Sequence, residues 1–297
     1  MGFKLAESRR YFLTKVLVLG SSGMLGNAML RVCSDCDTLS VTGAVRSQSS
    51  VRFFEKTFSG NLLAGFDAGS TDSILKLFNK AEPDVVINCV GLVKQLDDAS
   101  DPLQAISINA LLPHRLAVIC GACGARLIHF STDCVFSGQE GFYKESDVPD
   151  ASDLYGRSKL LGEVDYPHAV TLRTSIIGHE LNGHRSLLDW FLFQEGRVEG
   201  YRKAVFSGLT TVELAKVVRD YVIPAENLCG VYHVAAQPIN KYALLRLVSE
   251  VYGKEILINP CDDVVIDRSL DASRFNEVTG YVPPSWSELI RGMHEFK

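Results

Sequence analysis

The segment Gly20-Ser21-Ser22-Gly23-Met24-Leu25-Gly26 constrains this chain more than any other. It follows a short apolar run, Lys15-Val16-Leu17-Val18-Leu19, and opens an apolar-periodic stretch from Met24 to about Val32. A strand that runs into a helix through such a loop has few geometries open to it. The first glycine permits the tight turn, the second lets backbone approach a phosphate, and the third lets the helix pack closely on the strand. Free N–H groups at the helix start, with the positive end of its dipole, then face the anion. At the first strand–helix junction of an alternating series, the pattern predicts a dinucleotide pyrophosphate site made by Gly20, Ser22, Gly23, Met24, Leu25 and Gly26.

The series is there. Strands are expected at 15–19, 39–45, 65–67, 84–90, 126–131 and 169–173, with helices at 24–32, 103–120 and 155–164. Apolar strands alternating with helices imply a parallel sheet covered on both faces. Right-handed connections make it an α/β doubly wound parallel sheet of the Rossmann type. After Gly178 the pattern loosens: helices are expected at 186–193, 210–222 and 241–252, a strand at 230–234, and the remainder reads as short and loop-rich. This divides the chain into a dinucleotide-binding domain, residues 1–177 and about 208–237, and a smaller C-terminal substrate lobe, about 178–207 and 238–297.

Composition bounds the partners. The 297 residues are 46% hydrophobic and 22% charged, ample for a large core. A net charge of -5 without a basic block argues against nucleic acid. No apolar run approaches the roughly 20 residues that span a bilayer, so no membrane partner and a cytoplasmic location are expected. Ser8-Arg9-Arg10-Tyr11-Phe12-Leu13 reads like a twin-arginine signal, but the apolar stretch after it is only a strand's length and serves the fold. The eight cysteines include the pairs Cys33/Cys36 and Cys120/Cys123 at C-x-x-C spacing. Their helices should cover opposite faces of the sheet, where one zinc cannot reach both, so no metal is expected and the cysteines read as reduced thiols. A homodimer stays open.

The end of the second strand, Gly43-Ala44-Val45-Arg46-Ser47, lacks the acid that usually receives the ribose hydroxyls of NAD. Arg46 can pair bidentately with a 2′-phosphate and Ser47 can donate to it, so NADP(H) is favoured over NAD(H). Asp67, after the third strand, is placed near the adenine. Asn88, Cys89, Val90 and Gly91 end the fourth strand beside the cofactor path.

Tyr155-Gly156-Arg157-Ser158-Lys159 sets a tyrosine and a lysine four apart, on one face of a helix. A free phenol titrates near pH 10, and a neighbouring ammonium lowers that value toward useful acid–base work. Tyr155 would exchange a proton with a carbonyl or hydroxyl, and Lys159 would also reach the nicotinamide ribose. Thr132, in Ser131-Thr132-Asp133-Cys134-Val135-Phe136, stands at the C-terminal end of the preceding strand, the edge where open α/β sheets bind ligands, and can hold the substrate oxygen.

On these residues the chain resembles an extended short-chain dehydrogenase/reductase, and within that group the dTDP-4-dehydrorhamnose reductase-like enzymes. The likeness rests on the loop at 20–26, on 131–138, on Tyr143 with Glu145 and Asp147, and on Tyr155 to Lys159 with Gly162 and Glu163. It implies reduction of a 4-keto group on a nucleotide-linked deoxysugar, with Thr132, Tyr155 and Lys159 catalytic. Asn109 matches the helix asparagine of the superfamily, and Ser131 and Arg173 fall in strands beside the nicotinamide.

The likeness has departures. Phe206-Ser207-Gly208-Leu209-Thr210 replaces the usual Gly-x-Pro-Thr element, and only Arg268 is left as a candidate for the substrate pyrophosphate. Cys134 stands where sugar-nucleotide dehydratases carry a catalytic glutamate, which argues against dehydration. It also matches the cysteine of GDP-fucose synthase-like epimerase-reductases, with His179 or His184 as its partner. A further alternative is a non-catalytic cofactor-binding subunit, since the regulatory subunit of methionine adenosyltransferase resembles the same family.

Overall fold

The computed structural model describes residues 13–54, 58, 60–92 and 101–296. The arginines of the signal-like segment, Arg9 and Arg10, lie outside the described residues.

Strand β1 (Thr14–Leu19) turns Val16 and Val18 to one face and Leu17 and Leu19 to the other, all of them buried. That alternation is the strand's period of two, and it needs cover on both sides. Helix α1 (Met24–Ser34) supplies the first cover with Ala28, Met29 and Leu30. The chain continues through β2 (Leu39–Val45), β3 (Asn61–Ala64), α2 (Thr71–Ala81) and β4 (Val85–Asn88). Helix α3 (Pro102–Ala105) passes through a π-helical stretch, Ile106–Leu111, into α4 (Leu112–Cys123). Leu112, Leu116 and Ala117 pack with Ile74 and Phe78 of α2 on the second face. Next come β5 (Arg126–Thr132), α5 (Leu154–Leu161), β6 (Ala169–Thr174), β7 (Ile176–Ile177) and α6 (Leu187–Phe193).

The remainder is β8 (Arg197–Tyr201), β9 (Ala204–Phe206), β10 (Leu209–Thr210), α7 (Thr211–Val217), β11 (Gly230–His233), β12 (Ile239–Asn240), α8 (Lys241–Tyr252), β13 (Leu257–Cys261), β14 (Ile266–Asp267), α9 (Ser273–Thr279) and α10 (Trp286–Glu295).

The central sheet has seven strands in the order β11-β6-β5-β4-β1-β2-β3, and its pairs are parallel. The direction of winding reverses between β1 and β4, which places the ligand crevice outside the C-terminal ends of those strands. This is the expected Rossmann-type α/β fold. Small two- and three-stranded sheets, including β12-β9-β14 and β13-β8, form the rest.

Three expectations need correction. The third strand is Asn61–Ala64, not 65–67: Gly65 takes a φ of +86°, which ends the extended run, and only the Phe66 amide still reaches Val45. The stretch Pro102–Cys123 is long and apolar enough to span a membrane by composition, with mean hydropathy 1.4. Here one side of it is spent on the sheet. The C-terminal region is not merely loops. Ser285 and Glu288 make a reciprocal capping box that starts α10, whose Leu289, Ile290 and Met293 join the α1 side of the core. Arg31 holds the end of that helix, donating to the Phe296 carbonyl at 2.9 Å.

Cys33 lies in the core on the α1 face and Cys120 in the core on the α4 face, so the two C-x-x-C pairs sit on opposite sides of the sheet. Among the described residues no cluster of three or more His, Cys, Asp or Glu is arranged to hold a metal ion.

Candidate active site

The glycine loop leaves β1 and enters α1 with Gly20 at a φ of +75°. A Cβ on Gly26 would stand 2.1 Å from the Gly20 carbonyl oxygen, so only glycine lets α1 pack this closely. A Cβ on Gly23 would meet that oxygen at 3.3 Å, a milder demand from the protein itself. The start of α1 has no side-chain cap. By contrast Ser70, Asp101, Asp153, Ser186, Thr210, Asn240 and Ser285 each cap a helix. An uncapped helix start behind a glycine cradle fits a pyrophosphate, with Ser22, Met24 and Leu25 beside it.

Arg46 and Ser47 leave the end of β2, Arg46 exposed and Ser47 tied to Ser49 and Ser50 at 2.8 and 3.0 Å. Asp67 is exposed just beyond β3, and its Oδ1 accepts from the Gly69 amide at 2.9 Å. Asn88 turns inward: its Oδ1 accepts from the Val90 amide at 3.1 Å and its Nδ2 meets His129 Nδ1 at 3.1 Å. Cys89 and Val90 pass over Gly20, and Gly91 leaves a Cβ-sized space 3.6 Å from Asn109 Oδ1 and 3.9 Å from Lys159 Nζ.

Asn109 sits in the π-helical stretch and clamps the loop after β4. It accepts from the Leu92 amide at 2.9 Å and donates to the Leu92 carbonyl and to Ser158 Oγ, each at 3.2 Å. Ser131 and Arg173, expected beside the cofactor, turn their polar groups to Glu163 instead. Ser131 Oγ donates to it at 2.6 Å, and Arg173 forms a bidentate pair with it at 2.7 Å, with both charged side chains almost fully buried. Arg173 also donates to His233 Nε2 at 3.3 Å, and His233 donates to the Tyr143 carbonyl at 2.9 Å.

Thr132, Tyr155 and Lys159 come together at the C-terminal edge of β5. Asp153 caps α5 by accepting from the Gly156 amide at 2.7 Å, which fixes Tyr155 in the first turn. The Tyr155 phenol lies beside the Thr132 side chain, which favours its ionised form. Burial pushes the Tyr155 phenol up, and the nearby acids Asp133 and Asp153 add to the rise. The expected lowering by Lys159 is not what dominates here. The Lys159 ammonium donates to the Phe130 carbonyl at 2.6 Å and is itself pulled down to about 8 by burial, against the pull of Glu163.

A second charged group lies beyond Thr132. Asp133 is buried, and its carboxyl is pushed up by desolvation while Arg268 and Lys241 pull the other way. Arg268 donates from Nε to the Phe136 carbonyl at 2.9 Å and reaches Cys134 Sγ at 3.7 Å. Burial pushes the Cys134 thiol up to about 12. His179 is engaged elsewhere, at 2.8 Å from the Tyr252 hydroxyl and 3.4 Å from Asp189, and His184 stacks on Phe193 at 4.7 Å.

Residues 14–293 match the RmlD substrate binding domain family. The chain belongs to this family. The probable low-salt glycan biosynthesis reductase Agl14 of Haloferax volcanii is 34% identical over 165 residues, 54% of this chain and 52% of that protein. Methionine adenosyltransferase 2 subunit beta of Danio rerio is 28% identical over 256 residues, 80% of this chain and 74% of that one. The dTDP-4-dehydrorhamnose reductase of Mycobacterium tuberculosis is 40% identical over 101 residues, 31% of this chain and 33% of the enzyme. The match to the first of these relatives thus spans about half of its length. Two solved structures share the fold. The dTDP-4-dehydrorhamnose reductase of Bacillus anthracis, in complex with NADP, superposes with a TM-score of 0.76 at 17% identity, covering 96% of this chain and 99% of that one. A hypothetical dTDP-4-dehydrorhamnose reductase of Sulfolobus tokodaii gives 0.74 at 23%, covering 92% and 98%.

Gly156 and Lys241 of this RmlD-family site, and one buried ion pair, escaped sequence reasoning. Gly156 hides inside the Tyr-Lys motif, and a Cβ there would stand 2.3 Å from the Cys134 carbonyl oxygen. Glu163 and Arg173 were both named from sequence, but their buried pairing was not. Lys241 begins α8 and reads in sequence as a surface lysine, yet it faces Asp133 and lies 4.1 Å over the Phe206 ring.

Proposed function

We propose that the protein reduces a 4-keto group on a nucleotide-linked deoxysugar with NADPH. The observation that carries this reading is the buried Tyr155 phenol beside Thr132 at the sheet edge where the glycine cradle opens, with Lys159 one turn further along the same helix. Residues 1–177 and about 208–237 hold the dinucleotide, and about 178–207 with 238–297 hold the sugar nucleotide. Gly20 to Gly26 receive the pyrophosphate, Arg46 and Ser47 the 2′-phosphate, and Asp67 the adenosine side. Bound NADPH supplies hydride to the ketone carbon. Tyr155 donates the proton to the ketone oxygen, Thr132 holds that oxygen, and Lys159 sets the charge beneath it. Asn88 and Asn109 act through the loop after β4, which they fix, and Glu163 with Ser131 and Arg173 stiffens the strands below.

Plain reduction is favoured over epimerisation. A thiol held near 12 stays protonated at neutrality and is a poor base for a carbon acid. Both candidate histidines are occupied, His179 with Tyr252 and His184 with Phe193.

A second reading has one observation behind it. The Danio rerio methionine adenosyltransferase subunit is alike over 80% of this chain, so a cofactor-binding subunit that acts through a partner enzyme fits the same cradle. Following NADPH oxidation against a panel of nucleotide-linked 4-ketosugars in deuterated water separates the readings. The expected result is turnover with at least one ketosugar and no solvent deuterium at the carbons flanking the new alcohol. NADPH binding with no turnover across the panel would overturn the enzyme reading. Solvent deuterium at those carbons would replace reduction by epimerisation with reduction.

A further inference from the structure

We propose that Lys241 and Arg268 form a carboxylate-binding subsite, so that the ketosugar taken by this protein carries an acidic group on a ring carbon beside its ketone. The inference rests on the nucleotide-linked ketosugar reading and names the substrate class of that same site.

The small sheet β12-β9-β14 places the two cations. Asn240 of β12 and Asp267 of β14 stand on either side of Val205 in the central strand β9. Side chains alternate along a strand, so the next residues, Lys241 and Arg268, return to the face of Phe206. The contacts agree. The Lys241 ammonium lies 4.1 Å over the Phe206 ring. Gly138 lies against the side chains of both Ile266 and Arg268, and Ile266 is paired with Ala204, which shares the face of Phe206. Arg268 then reaches the turn after Thr132. Its Nε donates to the Phe136 carbonyl at 2.9 Å and its Nη1 lies 3.7 Å from Cys134 Sγ. The Cys134 amide in turn donates to Thr132 Oγ1 at 3.1 Å. Both charges therefore stand against the turn whose hydroxyl holds the ketone oxygen in the proposed reaction.

Neither cation is matched. Among the described residues no carboxylate is within ion-pair distance of Lys241 or Arg268, and no hydrogen bond holds the Lys241 ammonium or Arg268 Nη2. Asp133 attracts both from farther off, but burial raises its carboxyl toward the neutral form. Asp150 acts on Arg268 from the surface and is spent on the Ser137 amide at 2.6 Å. Burial pulls the Lys241 ammonium down to about 8, and its place as the first residue of α8 sets it against the helix dipole. A cation kept unpaired against both penalties is suited to an anion that arrives with the substrate. Position selects the anion. In a pyranose the anomeric carbon, which bears the diphosphate, lies across the ring from the 4-keto carbon, whereas the substituents of the two neighbouring carbons flank it. Charges against the Thr132–Cys134 turn face a group beside the ketone. A carboxylate can take Arg268 Nη2 on one oxygen and Lys241 on the other. Arg268 thereby reads the sugar instead of the pyrophosphate expected from its place in the sequence.

Calorimetric titration of the protein loaded with NADP+ tests the subsite without turnover. The probes are UDP-glucuronate, UDP-glucose and UDP, with the thymidine series beside them. The first two differ only in the carboxylate. The glucuronate should bind tighter than the glucose by on the order of 10-fold or more, the worth of a charge-assisted hydrogen bond. Lys241→Met and Arg268→Gln should each remove most of that preference, while the affinity for UDP-glucose and UDP stays within about 2-fold of the parent. Equal affinity for glucuronate and glucose in the parent overturns the proposal with no variant needed. A preference that survives both substitutions overturns it as well. Equal losses for all three probes would assign the cations to the diphosphate and overturn it too. Failure of every nucleotide sugar to bind would overturn the nucleotide-sugar reading itself, whereas binding without a gain from the carboxylate would remove only this subsite.

Discussion

Gly156 lies against the Cys134 carbonyl so closely that a Cβ would stand 2.3 Å from its oxygen. The glycine is in the first turn of α5, next to Tyr155, and the carbonyl belongs to the turn that follows Thr132. The contact between helix and turn is therefore also the contact that brings the phenol to the threonine hydroxyl. Neither motif alone says that the two meet. Their meeting depends on a residue without a side chain.

Gly156→Ala should push α5 away from the 133–135 turn. Backbone sits on one side of the new methyl and Ala151 on the other, so neither can yield cheaply. Overpacking of this kind costs about 1–3 kcal/mol. Thermal unfolding should show the loss, and kcat should fall more than NADPH affinity does, because the glycine cradle at 20–26 is untouched. A variant with parental stability and turnover would show that the close approach is not needed.

Lys159 links the site to pH. Its value is pulled from 10.5 to about 8 by burial, so between about pH 8 and 10.5 the unfolded chain binds a proton there that the folded protein has lost. Stability carried by this group therefore rises with pH across that window, and below it the buried ammonium is a cost. Lys241 is also held near 8 and contributes the same sign, so the comparison must be with a variant that keeps it. Urea unfolding of the parent and of Lys159→Met should show the parent gaining stability relative to the variant as pH climbs through that window. A difference that is flat with pH would refute the assignment.

Arg46 is exposed at the end of β2, and the strand end carries no acid to take ribose hydroxyls. Titration of the parent with NADPH and NADH should show tighter NADPH binding. Arg46→Ala should narrow that gap by on the order of 10-fold, the scale of one charge-assisted hydrogen-bonding pair, while leaving NADH affinity nearly unchanged. Equal affinities in the parent would remove the basis for NADPH.

Much of this molecule could be read from its sequence, for a physical reason. Apolar runs that need cover on both faces announce a parallel sheet, and β2 (Leu39–Val45) and α8 (Lys241–Tyr252) fall where the pattern put them. The misses have reasons too. Asn61–Ala64 is short, and its strand character comes from pairing with Thr42 to Val45, which no local pattern reveals. The start of α10 was signalled by Ser285-Trp286-Ser287-Glu288, a capping box that the loop-like surroundings concealed. The π-helical stretch around Asn109 leaves no periodic trace. It is matched instead to Gly162, where a Cβ would stand 1.9 Å from the Asn109 carbonyl oxygen, a contact between distant segments. The pairing of Glu163 with Arg173 and the placing of the Lys241 charge toward Asp133 likewise needed the fold before they could be seen.

The central claim is that this site reduces a ketone with a proton from Tyr155. It is tested most directly by comparing the parent with Tyr155→Phe on two readouts, NADPH affinity and NADPH-dependent reduction of a nucleotide-linked 4-ketosugar. Removing one hydroxyl deletes the proton donor and leaves the cradle at 20–26, Arg46 and Lys159 in place. The account predicts NADPH affinity within a few-fold of the parent and a fall in kcat of about 10²- to 10⁴-fold, the usual worth of a positioned general acid. Turnover by Tyr155→Phe at the parental rate would contradict it.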